Sequence, residues 1–75
     1  MKFERIRNLR ENHDHKQIEL AQVLCVKQST YSDYENGIIN IPVEALMKLA
    51  DFYGTSLDYL LGRTDEPRPY PKASE

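Results

Sequence analysis

Seventy-five residues hold at most one domain and fall below the roughly 100–200 residues usual for one. A chain this short buries only about 60% of its unfolded surface, which excludes two-domain clefts, large cofactor folds and most multi-step enzymes. Ten Lys and Arg against 12 Asp and Glu give a net charge of −2, so any binding to a polyanion must come from a local patch.

In chain order, MKFERIRNLREN is charged throughout and has no apolar signal-peptide core. Phe3, Ile6 and Leu9 recur every three residues, which predicts a first helix ending near Asn12. His13-Asp14-His15 is a polar break. With Cys25 it invites a metal reading, but no fourth ligand has suitable spacing, so no metal is expected and the histidines are read as solvated. Ile18, Ala21, Val23 and Leu24 predict a second helix over 17–24. A third spans about 28–36, with Tyr31 and Tyr34 inward, and Asn36-Gly37 stops it. Ile38-Ile39 is read as core filler, the alternative being a contact patch.

Pro42 fits the first position of a fourth helix, where its missing N–H costs nothing. Val43, Leu46, Met47, Leu49 and Ala50 form that helix's apolar stripe, and Gly54 closes it. Ser56 caps a fifth helix through Leu57, Leu60 and Leu61, which Gly62 ends. The pattern is all-α: five helices too short to stand alone, packed as one compact bundle. Residues 1–62 are the expected domain. The tail 63–75, with prolines at 67, 69 and 71, is expected to be extended or disordered. No apolar stretch is long enough for a membrane, and the one cysteine allows no internal disulfide. A cytoplasmic protein is expected, with Cys25 a half-buried structural residue rather than a redox sensor.

Residues 17–37, QIELAQVLCVKQSTYSDYENG, join two short helices by a tight connection at Leu24-Cys25-Val26. This is helix-turn-helix patterning, in which the second helix is free to enter the DNA major groove. Ala21 lets the helices approach, and apolar residues at 24, 26, 31 and 34 hold their crossing. The outward face is Gln28, Ser29, Ser32, Asp33 and Asn36, all polar. Gln pairs with adenine and Ser with several base edges, although a solvated surface has the same look.

These residues resemble the phage-repressor and Cro-type helix-turn-helix family, also called the xenobiotic-response-element family. The matching stretches are RIRNLREN, Gln17 with ELA at 19–21, Leu24-x-Val26, Ser29-Thr30, YENG at 34–37 and LMKLADFYGTSLDYLLG at 46–62, covering residues 3–62. The resemblance implies a lambda-repressor-like bundle and a transcriptional regulator of repressor type. Its partner is a double-stranded DNA operator, and it works as a homodimer without cofactor. It implies that Gln28, Ser29, Ser32 and Asp33 read bases. Gln17, Asn36 and the 37–41 loop, with Asn40, would contact phosphate, and Arg10 and Glu35 would form an ion pair that orients the third helix. A dimer contact is expected on the fifth helix through Leu57, Tyr59 and Leu60, together with the tail.

The sequence also departs from the family pattern. Cys25 stands where the turn usually has Gly, and Lys16 and Lys27 stand where Ser or Thr usually caps the second and third helices. Lysine cannot accept a hydrogen bond from a backbone N–H, so Lys16 and Lys27 are either phosphate ligands or solvated lysines. Residues 1–37 carry six basic and six acidic groups, so the presumed DNA half is neutral. No nucleophile–base–orienter set is legible, and no enzyme is expected. The alternative function is a protein-interaction module on the same fold, such as an antitoxin or a regulator subunit controlled by a protein partner.

Overall fold

A computed structural model describes residues 3–68. Five helices follow one another: α1 (Glu4–Asn12), α2 (Gln17–Leu24), α3 (Gln28–Glu35), α4 (Val43–Tyr53) and α5 (Leu57–Leu60). No strand occurs among the described residues, so the architecture is all-α as the patterning predicts. α2 packs chiefly on α3 and also on α4, while α4 supports α5 and α1 supports α3.

The core draws on every helix. Ile6, Leu20, Tyr31, Leu49 and Leu60 are fully enclosed, and Ala21 sits at the α2–α3 crossing, where its single methyl permits close approach. Leu60 therefore does not serve a dimer contact on α5, because its side chain fills the monomer core at 0% exposure. Leu57 is half-buried against the same core, and Tyr59 lies under the Arg5 guanidinium, 4.2 Å from its ring centre. Val43 and Met47 correct the expected α4 stripe, since both face solvent while Leu46, Leu49 and Ala50 face inward.

Each helix ends in the same way. An N–H two or three residues past the helix end reaches back to a carbonyl five residues earlier: His15 to Arg10, Val26 to Ala21, Ile38 to Asp33, Thr55 to Ala50 and Arg63 to Asp58, at 2.8 to 3.0 Å. This closure needs a left-handed residue just before that N–H. Gly37, Gly54 and Gly62 supply three of them, but Asp14 and Cys25 occupy the other two, each with φ of 57°. The turn of the helix-turn-helix thus keeps its usual shape, and Cys25 itself adopts the strained conformation. Pro42 lies one position earlier than expected. It is the residue flanking α4, and its carbonyl accepts the first helical bond, from Leu46 N–H.

Gly62 does not end the packed unit. Arg5 donates to the carbonyl oxygens of Tyr59 and Thr64 at 3.2 and 2.8 Å, and meets the Asp65 carboxylate at 3.3 Å. Ser56 N–H bonds the Pro67 carbonyl at 3.0 Å, while the Ser56 hydroxyl accepts from Tyr59 N–H at 3.0 Å and caps α5. Residues 63–67 form a strap across α1 and α5, and the tail beyond 68 lies outside the described residues.

Candidate nucleic-acid interface

α3 buries Tyr31, Tyr34 and Glu35 along one side, at the i, i+3, i+4 spacing of a single helix face. The opposite side carries Gln28 and Ser29, both exposed, and Ser32 and Asp33, both half-exposed. Asn36, exposed just past the helix end, donates its side-chain amide to the Ser32 hydroxyl at 3.4 Å. The candidate base-reading set therefore shares one outward surface.

The back of α3 is fixed by a buried charge. Glu35 is 2% exposed, and Arg10 grips it twice, Nε to Oε2 at 2.6 Å and Nη2 to Oε1 at 3.2 Å. A third Arg10 donor reaches the His15 carbonyl at 3.0 Å, tying the α1–α2 turn into the same link. Gln17 Nε2 adds a bond to Glu35 Oε1 at 3.2 Å. Burial by itself drives the Glu35 pKa up. The hydrogen bonds from Arg10 and Gln17, the Tyr31 hydroxyl turned toward the same carboxylate and the Arg10 charge outweigh it and hold the group below its ordinary value. The Glu35 hydrogen bond holds Arg10 above its own. The hydroxyls of Tyr31 and Tyr53 are buried without a partner that meets hydrogen-bond geometry. Burial, then the nearby Glu35 charge, pushes Tyr53 up to about 12, and burial pushes Tyr31 up as well.

Gln17 thus has a different immediate role from the one its position implies, because its side-chain amide is engaged by Glu35 rather than free at the surface. Lys16 and Lys27 are exposed at the starts of α2 and α3, and neither helix has a side-chain cap. The first N–H groups of a helix lack intrahelical acceptors, so both ends suit an anion. Asn40 is exposed in the loop before α4.

Three expectations need correction. Ile38 and Ile39 are not core filler: Ile38 is 68% exposed, because the left-handed Gly37 turns the chain outward. Cys25 is exposed rather than half-buried, since its left-handed backbone directs it away from the core. His13 and His15 are not merely solvated. Their rings stack in parallel at 6.3 Å, and they lie 5.3 Å from Tyr53 and Phe52 respectively. His15 Nδ1 also meets Glu19 at 2.7 Å, and that hydrogen bond lowers the Glu19 pKa. The aromatic cluster joins two elements far apart in sequence, so no local spacing announces it.

Buried-back, polar-front α3, set after α2 across a left-handed turn, defines a helix-turn-helix module. The Helix-turn-helix family model matches residues 6–60. This chain belongs to that family, in its phage-repressor and Cro-type branch. It is 38% identical over 69 residues to the uncharacterized HTH-type transcriptional regulator YobD of Bacillus subtilis (strain 168), a match covering 92% of this chain and 62% of the relative. It is 36% identical over 75 residues to the HTH-type transcriptional regulator AnsR of the same organism, covering 100% of this chain and 65% of the relative. Among solved structures, a transcriptional regulator from Listeria innocua superposes with a TM-score of 0.77 at 30% identity, covering 84% of this chain and 59% of that one. The chain therefore spans a little under two thirds of the length of these relatives. No helix among the described residues is long and apolar enough to cross a membrane.

Proposed function

We propose that this protein is a sequence-specific, double-stranded-DNA-binding regulator of transcription that acts as a repressor, with α3 in the major groove. One observation carries the reading. α3 turns Gln28 and Ser29 to solvent while Arg10 locks its back through Glu35, giving a rigid polar helix aimed outward. In this reading Gln28, Ser29 and Ser32 bond base edges, and Asp33 accepts from a cytosine amino group. Lys16 and Lys27 hold phosphates at the starts of α2 and α3, and Asn36 and Asn40 contact the backbone further along. Gln17 contributes its backbone N–H at the start of α2 and, through Glu35, positions the helix that reads.

A homodimer places two copies of α3 about 34 Å apart on a near-palindromic operator. Because residues 1–37 balance six basic against six acidic groups, affinity for random DNA is modest and the specific site dominates. The role needs no cofactor and no catalysis, and it is exercised on cytoplasmic DNA. Selection of bound duplexes from a random pool tests it, with a Gln28→Ala, Ser32→Ala variant alongside. A shared half-site that the variant loses supports the reading. Equal binding of selected and scrambled duplexes overturns it.

A second reading, control by a protein partner, draws on the exposed Ile38 and Ile39. It expects an Ile38→Ser, Ile39→Ser variant to keep duplex binding while changing repression in cells.

A further inference from the structure

α4 has an outer surface that the DNA-binding role does not use. Val43 and Met47 lie one turn apart on it, 64% and 54% exposed. Glu44 and Lys48, also exposed and one turn apart, form the neighbouring stripe. Neither takes part in an ion pair among the described residues. Both rim a groove of about 140 Å³ with Leu24, Val26, Tyr34 and Ala45 in its walls. Two apolar knobs, an apolar recess and two unpaired opposite charges therefore share one helix face.

We infer that a second copy of this chain occupies that face, as an antiparallel pair of α4 helices. A two-fold contact must be complementary to itself. With the axis between positions 45 and 46, the Val43–Met47 and Glu44–Lys48 pairs each lie one residue from direct opposition, a rise of about 1.5 Å that side chains span. Val43 therefore reaches Met47 of the second copy, Glu44 reaches Lys48, and each contact occurs twice. Met47 is unbranched, which suits an irregular recess. A parallel or heterologous packing would leave these charges unmatched. The duplex is a poor occupant, because Glu44 and Asp51 both flank the stripe. α5 offers little, with Leu60 enclosed and Tyr59 under Arg5. A single helix pair buries less than the roughly 1,200–2,000 Å² of a stable interface, so association is weak and is reinforced when both copies share one duplex. The inference rests on the dimeric reading for its biological role, but its test does not involve DNA.

Sedimentation equilibrium of the full chain, without DNA and over a wide concentration range, provides that test. The parent should pass from monomer to dimer as concentration rises. Glu44→Lys places Lys opposite Lys, and Lys48→Glu places Glu opposite Glu, so each variant alone should dimerise at least about tenfold more weakly. An equimolar mixture of the two variants should regain association, since only the mixed pair sets Lys against Glu at both positions. Met47→Glu should also stay monomeric. All four side chains are exposed, and circular dichroism verifies that each variant is folded. A parent that stays monomeric overturns the inference, as does a dimer indifferent to these changes or a mixture that fails to associate. Duplex selection, run separately, then shows whether the DNA reading stands without it.

Discussion

Arg10 and Glu35 meet at 2.6 Å behind α3, and through them α1 sets the angle at which the outward helix is held. Breaking a buried pair from one side leaves the other charge without compensation, at about 3–5 kcal/mol. Arg10→Ala strands a carboxylate that is 2% exposed, so it should cost more than Glu35→Ala, whose remaining guanidinium lies nearer the surface. Arg10→Met with Glu35→Leu should recover much of the loss. Urea unfolding of the three variants measures the order.

The same site makes stability depend on pH at both extremes. Folding holds Glu35 below its ordinary value, so its contribution is present above the unfolded carboxylate value of about 4.3 and is lost as pH falls through the lower folded one. Glu35→Gln should flatten this acid limb. Tyr53 is held at about 12, so the fold keeps a proton that the unfolded chain releases above a phenol value of about 10. Stability should therefore fall as pH rises from about 10 toward 12, and less steeply in Tyr53→Phe. Thermal melts across both ranges test the two limbs.

Cys25 holds a left-handed backbone, with φ of 57°, that glycine adopts without steric cost. The strain removed by Cys25→Gly is about 1–2 kcal/mol, and the extra freedom of the unfolded chain offsets about 0.4–1 of it. A net gain of about 0.5–1 kcal/mol should raise the melting temperature by a few degrees. Cys25→Val should lower it, because a β-branched side chain fits that backbone worse.

On DNA, Gln28→Ala should cost about 1–3 kcal/mol and relax preference at one base step. Lys27→Ala should weaken every sequence alike and reduce the salt slope by about 0.9, the effect of one phosphate contact. Titration of matched and scrambled duplexes at several salt concentrations separates the two behaviours.

Helix placement was legible because local rules govern it. Apolar spacing located α1 to α4, Asn36-Gly37 and Gly54 marked two ends, and the Ser56 cap was readable from a single residue. Which apolar residues would be covered was less legible. Val43 and Met47 satisfy a helical period as well as Leu46 and Leu49 do, and only the position of α2 decides which side is enclosed. Ile38 and Ile39 gave no period at all, so composition alone assigned them wrongly to the interior. At the candidate interface, the polar front of α3 could be read from its spacing. The bond from Gln17 to Glu35 could not, because it depends on how two helices cross. The strap was hidden for a related reason, since an arginine in α1 creates it at a range of 59 residues.

That strap brings the first helix and the last described segment together within the reach of one guanidinium. A bulky group attached at position 5 or at position 64 therefore starts from the same corner of the molecule. A short cross-link between positions 5 and 65 has little distance to span and should fasten the strap to α1 without moving either.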